Sequence, residues 1–298
     1  MFFQKEREVN KLKLVLPKGS LQETTLLIFK NAGFEIYSSS RSYYLTIDDP
    51  EIECVLLRTQ EIPRYVELGA FDAGIAGKDW IIENNAKVIE VCELTYSKMG
   101  FRPVKIVLAA PEKSNIKTVK DLEGKIIATE LVNLTKRYLK KNRVNAKVEF
   151  SFGATEIKAG NLVDAIVEIT ETGSTLYSHN LKIIDVIMES TPRLIANRNS
   201  WKDKWKREKI ENIALLLKGA LQAEGKVGLK MNVEKKNLEN IIKILPAMKK
   251  PTISTLTDKN WYAIETIIDK NKAKELIPKL KKLGAQGIVE YPLNKVII

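Results

Sequence analysis

Residues 11–16, Lys-Leu-Lys-Leu-Val-Leu, alternate between polar and apolar and then turn apolar, the pattern of a strand entering a core. A Pro-Lys-Gly-Ser turn follows at 17–20, then a 3.6-residue apolar period over 21–31 that Gly33 closes, predicting strand, turn and helix. The same alternation predicts strands over 53–58, 71–79 and 88–93, with helices over 61–69 and from Trp80. A second series starts at Val104. It predicts strands over 104–110, 125–129 and 146–150, a one-turn helix capped by Thr118, a helix over 133–142 and a short helix over 153–159. Strand-like runs at 182–188 and 193–197 lead into a long amphipathic helix over 199–224, where Trp201 and Trp205 lie one turn apart and share a core-facing side. Strands alternating with helices predict an α/β chain.

The stretch 226–298 has its own pattern. Strand (226–233), helix (234–245), strands (251–256 and 260–267), helix (271–282) and strand (286–291) make a βαββαβ, ferredoxin-like unit, with Asp258-Lys259-Asn260 as its hairpin turn.

One segment carries most of the chemistry. Residues 164–175 read Asp-Ala-Ile-Val-Glu-Ile-Thr-Glu-Thr-Gly-Ser-Thr, an apolar strand with two acids running into hydroxyl residues around a glycine. Backbone N–H groups at the start of a helix suit a phosphate, and Gly173 admits the tight turn. The hydroxyls of Thr172, Ser174 and Thr175 add donors, while Asp164 and Glu168 supply acceptors for sugar hydroxyls or Mg²⁺. A phosphate at one end and vicinal hydroxyls at the other describe a 5-phosphoribosyl group. Lys18 and Gly19 fall at the carboxyl edge of the first strand, where open α/β sheets bind ligands.

Composition narrows the classes. The 298 residues are 44% hydrophobic and 29% charged, ample for a core. No apolar run is long enough to span a bilayer, and the charged start lacks the apolar region of a signal peptide, so the chain is expected to be cytoplasmic. Cys54 and Cys92 read as buried free thiols, and one histidine, His179, can build neither a zinc site nor triad chemistry. The net charge of +12 comes from lysines spread along the chain, not from a basic stripe, so phosphate ligands account for it without nucleic acid.

The ordered fragments resemble the long form of the ATP phosphoribosyltransferase family along nearly the whole chain. The resemblance rests on Leu16-Pro17-Lys18-Gly19, on Leu57-Arg58 with Glu61-Ile62-Pro63, and on the run from Asp72 to Asp79. It continues through 124–129, 133–139, Gly153-Ala154-Thr155-Glu156 and the 164–175 segment, and in the last domain through Leu245-Pro246, Pro251-Thr252-Ile253 and Gly284-Ala285.

The resemblance implies a two-lobed catalytic part like a type II periplasmic binding protein, with the active site in its cleft. Lobe I would span 1–103 with about 190–222, lobe II 104–189, and a ferredoxin-like regulatory domain 223–298. It implies condensation of ATP with 5-phosphoribosyl 1-diphosphate, Mg²⁺ as cofactor, feedback inhibition by L-histidine and a homohexamer built from dimers. Carried onto this chain, Asp164, Glu156 and Lys18 are catalytic. The phosphoribosyl group is held by Asp164, Glu168, Thr172, Gly173, Ser174 and Thr175, and the nucleotide by Lys18, Gly19, Arg58, Thr129 and Lys136. Mg²⁺ enters mainly with the substrate, with Asp164 and Glu156 as its protein ligands. Histidine is held by Asn232, Met248, Thr252, Ile267 and Gly287. Ser20, Glu168 and Leu131-Val132 depart from the family's usual Arg, Asp and Tyr-Pro, and the segment between Glu156 and Asp164 lacks the usual proline. The competing expectation is a non-catalytic small-molecule-binding protein on the same two-lobed scaffold.

Overall fold

The computed structural model describes residues 10–37, 42–98, 100–246 and 250–298. The charged N-terminal start and Met248 lie outside the described residues. The chain divides into two compact units, Met1–Ala214 and Leu215–Ile298.

In the first unit the chain opens with β1 (Leu12–Lys18), α1 (Gln22–Ala32), β2 (Ile36–Tyr37), β3 (Tyr44–Ile47), β4 (Ile52–Arg58), α2 (Ile62–Glu67), β5 (Ala73–Gly77), α3 (Lys78–Glu83) and β6 (Ile89–Glu93). It crosses to a second series, β7 (Val104–Pro111), β8 (Ile126–Thr129), α4 (Val132–Lys141), β9 (Lys147–Phe150), β10 (Ala165–Thr170), α5 (Ser174–Ser178) and β11 (Leu181–Ser190). It then crosses back into β12 (Pro192–Ala196) and leaves along α6 (Lys204–Ala223), inside which the division between the units falls.

The strands form a seven-stranded sheet, β2-β3-β4-β1-β5-β12-β6, and a five-stranded sheet, β11-β7-β10-β8-β9. These are the two lobes, joined where the chain passes from β6 to β7 and from the end of β11 into β12. β1 runs parallel to β4 and β5, while β12 returns antiparallel between β5 and β6. This twice-crossed layout is the one the resemblance implies.

The central strands are apolar because both faces are covered. Leu12, Leu14, Val15 and Leu16 of β1 are fully buried, as are Ile106, Val107 and Leu108 of β7. Each such side chain contributes roughly 1.5–3 kcal/mol by leaving water. Trp80 of α3 packs into the second lobe's core with Ile106, Leu108 and Leu131. α4 has no side-chain cap of its own. Glu83 of α3 supplies one from the other lobe, accepting from the N–H groups of Asn133 (2.9 Å) and Leu134 (2.8 Å). A carboxylate at a helix start is favourable in both charge and hydrogen bonding, so α3 is fastened to the second lobe at two points.

Two details differ from the sequence pattern. The helix expected over 153–159 is one 3-10 turn, Glu156–Lys158. Trp201 and Trp205 do not share a helix: a 3-10 turn, Ser200–Lys202, ends at extended Asp203 before α6 begins. Both tryptophans are half-buried, and the Arg207 guanidinium lies 5.0 Å from the Trp201 ring.

The second unit contains β13 (Lys226–Glu234), α7 (Leu238–Ile244), β14 (Thr252–Thr255), β15 (Trp261–Asp269), α8 (Lys270–Lys282) and β16 (Gln286–Pro292). Its antiparallel sheet has the order β14-β15-β13-β16, the ferredoxin-like arrangement of a βαββαβ chain. Val227, Leu229, Met231 and Val233 of β13 face the two helices, so Asn232 points to the open face.

Candidate active site

The carboxyl ends of β1 and β4 stand in register, which places Lys18 beside Arg58. Gly19 turns the chain at φ +108°, and a Cβ there would come within 3.3 Å of the Arg58 guanidinium. A glycine is needed for both the turn and the close approach. The Lys18 ammonium lies 3.9 Å from the centre of the Tyr43 ring, a cation–π contact.

Next to this edge is a cavity of about 300 Å³ between the lobes. Ser20, Leu21, Thr59 and Gln60 line it from the first sheet's edge, and Glu130, Thr170 and Glu171 from the strand ends of the second. The two crossings complete the wall with Tyr96, Lys98, Ser190 and Thr191. Asp79 at the start of α3 also faces it. The Ser190 hydroxyl donates to Asp79 Oδ1 (2.7 Å) and accepts from the Asp79 N–H (3.1 Å). Burial pushes the Asp79 carboxyl above the usual carboxylate range despite these bonds.

The two acids of the 164–175 segment separate in space. Asp164 precedes β10, whereas the glycine turn follows its other end. At about 3.3 Å per residue, Asp164 and the turn lie on the order of 20 Å apart. Asp164 is occupied where it is. It accepts from the Ile126 N–H (2.9 Å) and pairs with Lys125 (3.1 Å), and these partners hold its carboxyl below the usual range. The structure thus sets Asp164 and the turn at opposite ends of β10.

Glu168 is the acid near the strand's exit. Burial pushes its carboxyl up to about 7, the Ile169 N–H opposes this, and the nearby charges of Glu156 and Glu130 add to the rise. The charges of Glu156 and Glu130 therefore act on Glu168 across the space between β8 and β10.

The turn is prearranged by its own hydroxyls. Gly173, at φ +79°, donates its N–H to Thr170 Oγ1 (2.9 Å), and Ser174 donates to Thr172 Oγ1 (3.3 Å). α5 begins at Ser174, with Thr175 in its first turn. His179 donates from Nδ1 to the Thr175 carbonyl (2.8 Å) and finishes that helix.

None of Lys18, Gly19, Arg58, Thr129, Lys136, Glu156, Asp164, Glu168 or residues 172–175 lines the cavity itself; its wall includes their chain neighbours Ser20, Thr59, Glu130, Thr170 and Glu171. Thr129 is fully buried, with its hydroxyl accepting from the Leu131 N–H (3.0 Å), and Lys136 is exposed on α4. Cys54 and Cys92 are buried and form no disulfide, and burial pushes Cys54 up to about 12, which excludes it as a nucleophile at neutral pH.

In the second unit, Thr252 and Ile267 line one cavity of about 610 Å³ together with Glu265 and Tyr291. Asn232 lies further along the sheet, opposite Ala263, with Gly287 packed against its amide.

The sequence pattern had not singled out Tyr96, Lys98, Ser190 or Thr191. They belong to the crossings, and only the return of β12 to the first sheet brings them to one wall. Asp79 and Glu171 were visible only as members of longer motifs.

Comparison with known proteins places this geometry. Residues 58–219 match the family model described as ATP phosphoribosyltransferase, and residues 223–295 match that described as HisG, C-terminal domain. The ATP phosphoribosyltransferase of Chlorobium phaeobacteroides is 60% identical over 288 residues, covering 97% of this chain and 98% of the relative. That of Thermodesulfovibrio yellowstonii is 60% identical over 286 residues, covering 96% and 98%. A solved structure, the ATP phosphoribosyl transferase (HisG:HisZ) complex from Thermotoga maritima, matches with a TM-score of 0.59 and 28% identity over 70% of this chain and 98% of that one. With both models matched in order and relatives aligned almost end to end, the chain belongs to the ATP phosphoribosyltransferase family in its long form, a pentosyltransferase family that carries out the first step of histidine biosynthesis.

Proposed function

We propose that this chain condenses ATP with 5-phosphoribosyl 1-diphosphate at the cavity between its lobes, giving 1-(5-phosphoribosyl)-ATP and pyrophosphate. The observation that carries the reading is the placement of Glu168 on the strand that runs directly into the Gly173 turn, with Glu156 and Glu130 close by. Acceptors then stand a few residues before a ring of hydroxyl donors, as a phosphoribosyl group requires.

In this reading Thr172, Gly173, Ser174 and Thr175 hold the 5-phosphate, and Glu168 and Glu156 accept from the ribosyl hydroxyls. Lys18, Gly19 and Arg58 receive the triphosphate of ATP, whose charge matches the two cations at that edge. The lone pair of adenine N1 forms a bond to C1 of the ribose as the C1–O bond breaks, and the electron pair leaves with pyrophosphate. Positive charge develops on the ribose, and the ionised acids stabilise it. No protein nucleophile takes part. Positioning of N1 against C1 supplies the rest of the acceleration.

Among the described residues no three His, Cys, Asp or Glu side chains are grouped to hold a metal ion unaided. Carboxylates of Glu156 and Glu168 are hard oxygen donors that fit Mg²⁺ when substrate oxygens complete its shell. Asp164, already engaged by Ile126 and Lys125, is not assigned to it. Held there by Glu156 and Glu168, the cation would supply charge neutralisation for the pyrophosphate group.

We further propose that L-histidine binds the second unit through Asn232, Thr252, Ile267 and Gly287 together with Met248, that the chain assembles as a homohexamer, and that it works in the cytoplasm. No helix among the described residues is long and apolar enough to cross a membrane. The test is to mix the protein with ATP, 5-phosphoribosyl 1-diphosphate and Mg²⁺ and follow phosphoribosyl-ATP, with and without histidine. Product formation that histidine suppresses is expected. Folded protein that yields no product overturns the reading.

A further inference from the structure

A phosphate-binding turn is an unfavourable place for a carboxylate, yet this turn contains one. Glu171 lies between Thr170, which fixes Gly173, and Thr172, which fixes Ser174. Its position has a visible use. Glu171 Oε2 accepts from the Ser97 hydroxyl (3.0 Å) and Oε1 from the Lys98 N–H (3.1 Å), so both oxygens are committed to the first crossing between the lobes. Hydrogen bonds to a charged acceptor are stronger than neutral ones, and these draw the negative charge toward the crossing. They also fix the backbone at Lys98, a cation on the cavity wall.

The crossing is itself anchored to the first lobe. Tyr96, the residue before Ser97, is fully buried, with its hydroxyl 2.7 Å from Thr25 Oγ1. Thr25 donates its own hydroxyl proton to the Leu21 carbonyl (2.7 Å), so the Tyr96 hydroxyl is the donor to Thr25. Leu21 and Ser20 line the cavity just beyond the Lys18-Gly19 turn. A continuous run of bonds and chain therefore leads from the turn after β10, through Glu171, Ser97, Tyr96 and Thr25, to the start of α1.

We propose that Glu171 is a positioning residue for the transfer reaction: by clasping Ser97 and Lys98 it holds the phosphoribosyl turn in its binding position and ties it to the nucleotide side of the cleft. The inference rests on the reading of residues 172–175 as the 5-phosphate site. Glu171 touches no reacting atom. Its contribution is preorganisation, which lowers the ordering cost that a substrate otherwise meets on binding.

The experiment is steady-state kinetics with each substrate varied in turn, on the full chain. Glu171→Ala is expected to raise KM for 5-phosphoribosyl 1-diphosphate roughly 5- to 20-fold, while kcat and KM for ATP stay within about 3-fold. This corresponds to the loss of the charge-assisted bonds to Ser97 and Lys98, partly replaced by water. Glu171→Gln, which keeps one acceptor oxygen, is expected to fall between Ala and the parent. Ser97→Ala should move the same KM in the same direction, and the Ser97→Ala/Glu171→Ala pair should be less than additive because both changes remove one clasp. Should Glu171→Ala fail to fold, Ser97→Ala and Glu171→Gln carry the test. An unchanged or lowered KM for 5-phosphoribosyl 1-diphosphate, equal rises in both KM values, or strict additivity of the pair overturns the proposal. Thr172→Val separates the two readings. If it leaves that KM unchanged, the phosphate turn itself is misassigned. If it raises that KM while Glu171→Ala does not, only the clasp is refuted.

Discussion

Replacing Glu168 with glutamine is expected to make the protein more stable and less active at once. The folded protein holds the Glu168 carboxyl at about 7 because burial disfavours its charge, against an ordinary value of 4.5. Between those two values the unfolded chain has lost the proton and the folded chain keeps it. Unfolding therefore becomes easier as the pH rises through this window, and the loss is complete above it. The rise from 4.5 to about 7, at ~1.36 kcal/mol per pH unit, caps the penalty at roughly 3 kcal/mol. Water entering the open cavity lowers the realised figure. Glutamine has nearly the same shape and no charge to bury. In a unit of about 200 residues, 1 kcal/mol moves the melting temperature by about 2–4 °C, so a gain of up to roughly 6–12 °C is predicted at pH 8. Near pH 4 both side chains are neutral, and the two proteins should melt within a degree or two of each other. Thermal unfolding of parent and variant at pH 4, 6 and 8 reads this directly. A melting difference that is the same at all three pH values, or a parent more stable at pH 8, refutes the reasoning. The activity assay is the counterpart: kcat should fall at least 10²-fold, because a neutral amide cannot stabilise the cationic ribose.

Asp164→Ala carries the opposite expectation, a stability loss of about 1–2 kcal/mol with kcat within 2-fold, because its carboxylate serves the Ile126 N–H and Lys125 far from the turn. Its carboxyl is held low, so this contribution is present at neutral pH and fades as the pH falls through the acid range. Urea unfolding at pH 7 beside a turnover assay checks it, and a large loss of kcat would return Asp164 to the active centre. Gly173→Ala places a Cβ 3.0 Å from the Tyr177 ring at a φ of +79°, with an expected cost of about 1–2 kcal/mol and at least a 10-fold rise in KM for 5-phosphoribosyl 1-diphosphate. A KM within 2-fold of the parent's would show that the turn does not bind the phosphate. Asn232→Ala should abolish inhibition by histidine and leave the uninhibited rate unchanged, read by titrating histidine into the activity assay.

The α/β order and the βαββαβ unit were legible because apolar periodicity is a local signal that buried strands and amphipathic helices write strongly. β2 and β3 were not, since Ile36-Tyr37 and Tyr44–Ile47 are short strands at one end of the sheet whose tyrosines Tyr37 and Tyr44 are exposed. The acids of 164–175 illustrate a different limit. Asp164 and Glu168 are four residues apart, which in a helix makes neighbours and in a strand makes a separation of about 13 Å. Treating them as one pair overlooked the rise of β10. The composition of the cavity wall was out of reach for a topological reason. Ser190 and Thr191 are more than 110 residues from Asp79 in the chain, and the residues between them give no periodic sign that β12 will return beside β5. Glu83 capping α4 is hidden in the same way, because an N-cap is normally sought in the residue next to the helix, not in another lobe.

The return of β12 also dictates an order of assembly during synthesis. Among the described residues β6 pairs only with β12, and β12 also covers the edge of β5, whose five residues are all buried in the finished protein. When the ribosome has released residues 1–103, that sheet still has a gap at the place where its sixth strand belongs. The second lobe is contiguous from β7 to β11 and has all its strands before β12 emerges. It is therefore the lobe able to complete itself first, with the earlier-made half waiting on a strand translated about a hundred residues later. An N-terminal fragment ending before residue 192 would carry an open strand edge, a template for pairing with other chains. The hazard of premature termination is thus concentrated in the lobe that is made first and finished last.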